Sequence, residues 1–291
     1  MFKIVHKQLI AQDIKKIDIM APIIAARALP GQFVMLTPVA GAHNIPMTII
    51  DSDERRSVVS VLVHEVGPAT RQLGELSIGE AVYQMVGPLG RGAQMDKYGL
   101  VICVATGIGA AQILPICRGL KKKGNKVIGI IGAKSKKVLM LESQMRVVCD
   151  EIFITTNDGS YERKGLATGI LKELLEKYTV QRVYAIGSVE MMQAAARMTA
   201  EKNISLRVTL NPYMVNGLGM CGSCRVKIDG QYRLACVDGP EFYGHKVDFD
   251  DFSQRMNQSE PVQWENQAHP ISPKRQGLGT FVKSLWGSTK K

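Results

Sequence analysis

Val101-Ile102-Cys103-Val104-Ala105-Thr106-Gly107-Ile108-Gly109-Ala110-Ala111 is the stretch on which the reading of the fold turns. Its first half is apolar and partly β-branched, as a strand buried on both faces requires. Gly107 and Gly109 then permit a tight turn, and a helix starts in the small residues beyond. A strand, a Gly-x-Gly turn and a helix N-terminus together present unpaired backbone N–H groups to a phosphate. Such turns occur in many α/β proteins, so the surrounding pattern has to support the reading.

Downstream the support is an alternation. Strand-like runs at 126–131, 151–155, 182–186 and 206–210 alternate with helix-length segments at 111–122, 138–148, 165–178 and 189–202. This grammar predicts a mostly parallel sheet covered by helices, with a ligand crevice at the carboxyl ends of its strands. Two later strand ends carry suitable groups: Thr156-Asn157-Asp158-Gly159-Ser160, and Gly187-Ser188-Val189-Glu190-Met191-Met192. Upstream the grammar differs. Residues 32–36, 58–63 and 81–86 are short alternating runs divided by turn signals, which predicts a small antiparallel barrel. Within it, Ile45-Pro46-Met47-Thr48 presents a hydroxyl beside a strand start. His64-Glu65-Val66-Gly67-Pro68-Ala69-Thr70 is a glycine turn opening a helix. The predicted organisation is a barrel over 1–98, an α/β domain over 99–210, a compact lobe over 211–250 and a polar, basic tail over 251–291.

The lobe is defined by cysteine. Of six in the chain, Cys103, Cys117 and Cys149 lie in apolar or helical stretches and read as buried thiols, whereas Cys221, Cys224 and Cys236 crowd a glycine-rich segment. Close thiols in a chain with no leader pattern argue for metal rather than a disulfide. A [2Fe-2S] cluster bound with C-x4-C-x2-C spacing places its remaining ligand at Asn216, a neutral amide where a thiolate is expected. Three cysteines around one zinc ion, or thiols without metal, are the competing readings.

The chain has a formal net charge of +11 and few aromatic residues. A basic surface suits an acidic protein partner, and no aromatic-interleaved basic stripe points to nucleic acid. No apolar run reaches the roughly 18 residues of a membrane span, so the expectation is a cytoplasmic protein.

In order, P-x-T, V-G-x-x-T, T-G-x-G, T-x-D-G-S, G-x-x-x-M-M and N-P-x-M-V-x-G-x-G-M-C-G-x-C…C-V-D-G-P-E-F resemble one family of the ferredoxin–NADP reductase type. It includes the small subunit of NADH-dependent ferredoxin:NADP oxidoreductase. The β subunit of sulfide dehydrogenase and the electron-transfer subunit of dihydroorotate dehydrogenase are similar. The resemblance covers residues 1 to about 250. It implies FAD held by the barrel near Pro46, Met47, Thr48, Leu62, Val63, His64, Gly67 and Thr70. It implies NAD(H) or NADP(H) near Thr106, Gly107, Ile108, Gly109, Asp158, Gly187 and Met191, and a [2Fe-2S] cluster on Cys221, Cys224, Cys236 and Asn216. It also implies a larger flavin- and iron–sulfur-containing partner subunit, with ferredoxin as a further electron carrier. The sequence departs from the family at Asn44, where Arg is usual, and at Asn216, where Asp or Cys is usual. Both departures leave open a structural subunit that has lost its cofactors.

Overall fold

The computed structural model describes residues 2–258. The N-terminal part consists of β1 (Phe2–Ala11), β2 (Ile14–Met20), α1 (Pro22–Ala25), β3 (Phe33–Thr37), β4 (Ile45–Asp53), β5 (Val58–His64), α2 (Pro68–Glu75), β6 (Ala81–Val82) and β7 (Gln84–Leu89). Its sheet has the order β6-β1-β2-β5-β4-β3-β7, antiparallel throughout. The sequence pattern gives one strand over 81–86, but the structure breaks it at Tyr83. The residues before the break pair with β1 and those after it with β3, so one segment joins the two edges of the sheet. Closure of this kind removes exposed strand edges. Inside, β5 alternates: Val59, Val61 and Val63 fill the barrel core, and Leu62 faces the other way.

The second sheet follows through β8 (Leu100–Thr106), α3 (Gly109–Lys122), β9 (Lys126–Ala133), α4 (Glu142–Val148), β10 (Glu151–Thr156), β11 (Arg163–Lys164), α5 (Ala167–Lys177), β12 (Arg182–Ile186), α6 (Val189–Glu201) and β13 (Ser205–Thr209). Its order is β11-β10-β9-β8-β12-β13, parallel, with one further strand at the end. The chain moves outward from β8 through β9 and β10, then returns to β12 on its other side, so the switch point lies between β8 and β12. Strand β8 is buried on both faces, as read from its sequence. Ile102 and Val104 pack toward α5 and α6, while Val101, Cys103 and Ala105 pack toward α3 and α4. The helix expected over 138–148 is shorter than its pattern, because a single 3₁₀ turn occupies Lys136–Val138.

The cysteine-bearing segment contains the hairpin β14 (Arg225–Ile228) and β15 (Gln231–Leu234), then β16 (Glu241–Tyr243) and α7 (Phe249–Gln258). Asp229 and Gly230 have φ of 53° and 75°, the values a tight two-residue hairpin turn demands. Strand β16 is the antiparallel edge of the parallel sheet, paired with β13. Phe249 and Phe252 join Cys224, Val226 and Cys236 in the same core as α5 and α6. The segment therefore shares the sheet's core instead of forming a lobe with its own. Helix α7, capped by Asp248 Oδ1 accepting from Asp251 N (3.0 Å), continues past residue 250, where the sequence pattern starts the tail. The remainder of that expected tail, 259–291, lies outside the described residues. No helix among the described residues is long and apolar enough to cross a membrane.

Candidate functional site

Two clefts meet where the barrel faces the parallel sheet. The first, of about 240 Å³, is bounded by Pro46, Met47 and Thr48 of β4, Leu62 and His64 of β5, and Ala111 and Gln112 of α3. Its far wall is Thr209, Asn211, Pro212, Met214 and Pro240, the approaches to the cysteine segment. The second, of about 670 Å³, lies at the carboxyl ends of β8, β9 and β12 and is lined by Thr106, Gly107, Gly132, Lys134, Asn157, Gly187, Ser188 and Met191. His64, Ile108 and Asn211 line both.

The second cleft is built by its glycines. A Cβ on Gly109 would lie 2.3 Å from the Ile186 carbonyl oxygen, so only glycine lets α3 start against the end of β12. Gly107, at φ 55°, faces open space. The Ser188 N–H donates to Thr106 Oγ1 (3.1 Å), and Ser188 caps α6 by accepting from Met191 N (3.3 Å). A close-packed turn with a free approach at the switch point suits a dinucleotide.

The sequence-derived residues fall unevenly. Pro46, Met47, Thr48, Leu62 and His64 converge on the first cleft, and Thr106, Gly107, Ile108, Gly187 and Met191 on the second. The Val63 side chain points into the barrel. Gly67 and Thr70 stand at the start of α2, where the Thr70 hydroxyl exchanges hydrogen bonds with the Gly67 backbone (both 2.9 Å). Asp158 is exposed and accepts from Ser160 N (2.9 Å), a bond that holds its carboxyl below the usual range. Its neighbour Asn157 lines the cleft instead. Sequence reasoning missed Gln112 and Asn211. The signals for them were a lone polar residue in the apolar run Ala110–Leu114, and Asn-Pro directly after a strand.

The cysteine segment gathers Asn216, Cys221, Cys224 and Cys236. Asn216 Oδ1 lies 3.4 Å from Cys221 Sγ, while Cys224 and Cys236 are both buried in the sheet core. Asn216 Oδ1 also accepts from Leu218 N (3.0 Å). The Ser223 hydroxyl and N–H, bonded to the Cys221 sulfur, lower that thiol to about 7. Burial, then contact with Cys224, raises Cys236 to about 11. Among the described residues no three His, Cys, Asp or Glu are placed together to hold one metal ion. Gly217 (φ 70°) has no room for a Cβ, which would sit 2.5 Å from Met35 Cγ, so the loop is pressed onto the barrel. Cys103, Cys117 and Cys149 are buried together on the other face of the sheet; contact among the thiols and burial raise Cys117 and Cys149, as inert structural thiols require.

Beside these clefts the Glu241 side chain is largely covered, its Oε1 accepting from Gln94 N (3.1 Å) and Arg207 Nε lying 3.7 Å away. Burial outweighs Arg207 and Arg182 and pushes its carboxyl up to about 7. The unfolded chain ionises near pH 4.3, so between about 4.3 and 7 the folded state holds the extra proton and stability falls as pH rises. Urea midpoints taken from pH 5 to 8 should show this fall, on the order of 2 kcal/mol, and Glu241→Gln should flatten it.

An antiparallel barrel, a switch-point crevice and a paired-thiol loop, all bordering one junction, define an oxidoreductase electron-transfer subunit of the ferredoxin reductase type. Residues 211–248 match the iron–sulfur cluster binding domain of dihydroorotate dehydrogenase B. The electron-transfer subunit homologue of dihydroorotate dehydrogenase B (NAD(+)) from Thermotoga maritima is 35% identical over 88% of this chain and 90% of its own length. An uncharacterized protein of the adh 3′ region of Clostridium beijerinckii is 38% identical over the same shares. A solved chain of NADH-dependent reduced ferredoxin–NADP oxidoreductase superposes with a TM-score of 0.84 at 34% identity, covering 89% of this chain and 93% of that one. Phthalate dioxygenase reductase, at 17% identity and TM-score 0.57, shares the fold. The chain belongs to the family of dihydroorotate dehydrogenase B electron-transfer subunits and their homologues.

Proposed function

We propose that this chain carries electrons between NAD(H) or NADP(H) and a larger flavin- and iron–sulfur-containing subunit, through FAD in the first cleft and a [2Fe-2S] cluster on the cysteine loop. The finer reading is a ferredoxin-linked, electron-bifurcating transhydrogenase. The observation that carries the proposal is continuity: His64, Ile108 and Asn211 are common to both clefts, and Met214 and Pro240, which flank the cysteine loop, wall the first.

The residues present fit these groups. An apolar cleft with a few polar points takes a planar ring, and the second cleft's glycines admit a dinucleotide. Cys221 with Asn216, and Cys224 with Cys236, would hold the two irons. When bound, the flavin accepts a hydride from the nucleotide and the cluster passes single electrons; that chemistry belongs to the cofactors. The chain itself sets the order of the stations and excludes water. Cys221 is exposed amid the exposed apolar residues Tyr213, Leu218, Met220 and Val237, a surface suited to the partner.

Anaerobic isolation with the natural partner tests the reading, with FAD, iron and sulfide all expected; absence of both iron and flavin overturns it. NADP reduction by NADH that needs reduced ferredoxin supports the bifurcating form, and reduction indifferent to ferredoxin refutes it. Asn216→Asp adds a negative charge at one iron and should lower the cluster's midpoint potential; an unchanged potential removes Asn216 from the ligand set.

A flavin diphosphate held near Asn44 would find no guanidinium there, since Asn44 is exposed and accepts a hydrogen bond from the Thr37 hydroxyl. A charge-assisted contact is worth about 1.5 kcal/mol more than a neutral one, so Asn44→Arg should lower the FAD Kd about tenfold in a fluorescence titration.

A further inference from the structure

Asn216-Gly217 is the one Asn-Gly pair in the chain. It stands where the C-x4-C-x2-C spacing expects a thiolate. Asn216 Oδ1 accepts from Leu218 N (3.0 Å) and from the Cys221 thiol (3.4 Å). A backbone N–H can donate only to the oxygen of that amide, so the identity of Oδ1 does not depend on a flip. Two donors on one carbonyl oxygen draw charge from Cγ and stabilise the oxyanion that forms when a nucleophile adds there. The adjacent nucleophile is the Gly217 nitrogen. Among the described residues no acceptor takes its N–H, and no side chain screens it. Gly217 is also fixed against Met35 of the barrel, and Asn216 is half-buried, so water reaches the pair.

We propose that Asn216 is a self-processing site, at which loss of the side-chain amide yields an aspartate and so furnishes a carboxylate for iron. The proposal rests on the reading of this loop as the cluster site. The Gly217 nitrogen adds to Asn216 Cγ, its proton passes to Nδ2, and the Cγ–Nδ2 bond breaks to release ammonia. A cyclic imide is left. Water then adds to the imide and one C–N bond reopens, so water is consumed, ammonia is released and no electrons are exchanged. In the imide Oδ1 keeps both its donors, which makes Cγ the more electrophilic of the two carbonyl carbons. Water adding at Cγ breaks the bond from Cγ to the Gly217 nitrogen and gives aspartate with the main chain intact, rather than isoaspartate. The product carries beside Cys221 a negative charge that the amide lacks, and that charge attracts a metal cation.

The test follows the full-length chain, freshly purified without metal and incubated at mildly alkaline pH, by peptide mass mapping. The Asn216 peptide should gain about 1 Da, with aspartate in excess of isoaspartate, while peptides bearing the other asparagines keep their mass. The same chain in urea, where the two donors are lost, should give isoaspartate as its main product. Asn216→Gln, whose longer side chain closes the ring poorly, should keep its amide. After reconstitution with iron and sulfide, aged wild type should move from the cluster potential of the fresh chain to that of Asn216→Asp. An amide that stays intact in the folded chain, isoaspartate in excess, or a potential unmoved by ageing overturns the proposal. Aspartate that forms in a chain binding no iron in any preparation overturns the reading of the loop and leaves the processing standing, which separates the two failures.

Discussion

With Cys236 replaced by alanine, the protein is expected to keep its flavin and its reduction by pyridine nucleotide, yet deliver electrons to its partner at about 1% of the wild-type rate or less. Cys236 is 3% exposed and packs with Cys224, Val226 and Ala235 at the edge of the sheet core. Burial, then the neighbouring Cys224 thiol, holds Cys236 at about 11, and positive charge between the two would favour their thiolates. In the proposed cluster, removing one would leave an iron short of a ligand. The fold tolerates the change, since losing one sulfur atom from a core costs roughly 1–2 kcal/mol. Stopped-flow reduction of the flavin, beside acceptor reduction by the whole complex, separates the two halves of the relay. Retention of full transfer by the alanine variant would exclude the loop from the electron path.

Gly109→Ala should raise the dinucleotide Kd about a hundredfold, close to 2.7 kcal/mol, while leaving iron and flavin content unchanged. The added Cβ would lie 2.3 Å from the Ile186 oxygen and 2.8 Å from its carbonyl carbon. Neither atom can yield, because β12 is paired on both sides, with β8 and β13. Helix α3 must instead move off the strand, carrying Ile108 and the Gly107 turn away from Gly187. Overpacking of this kind costs about 2 kcal/mol, so Tm should fall by roughly 4–8 °C. Gly107→Ala is the informative contrast. Its Cβ meets nothing within 4 Å, and its φ of 55° costs an alanine only about 1 kcal/mol. Any large loss of binding there reports the ligand's approach rather than the packing. Isothermal titration with nucleotide measures both variants.

Periodicity carried most of the architecture. The change from short alternating runs to strand–helix alternation near Leu100 marks the passage from the closed barrel to the parallel sheet. The reason is local: residues alternate along a strand and recur every turn along a helix, so burial writes itself into the order of side chains. Gly107 and Gly109 were readable because a tight turn and a close approach have few chemical solutions. The spacing from Asn216 to Cys221 and Cys224 is likewise a matter of chain order.

What spacing could not supply is which groups meet. Val63 and Leu62 are adjacent in sequence, yet the pleat sends one into the barrel and the other toward α3. Asp158, the more ionic choice, closes its own turn, and Asn157 faces the cleft. Tyr83 interrupts an unbroken β pattern because the barrel has to close. Thr48, Gln112 and Asn211 are separated by 64 and 99 residues and form one polar chain only when β4, α3 and the end of β13 converge. Chain order was enough for the two architectures, the glycine turn and the crowding of three cysteines, because each depends on neighbours along the chain. The packing of Cys224 and Cys236 in the sheet core, the wall common to both clefts and the polar tie across it came only with folding, because long-range contacts are set by how whole elements pack.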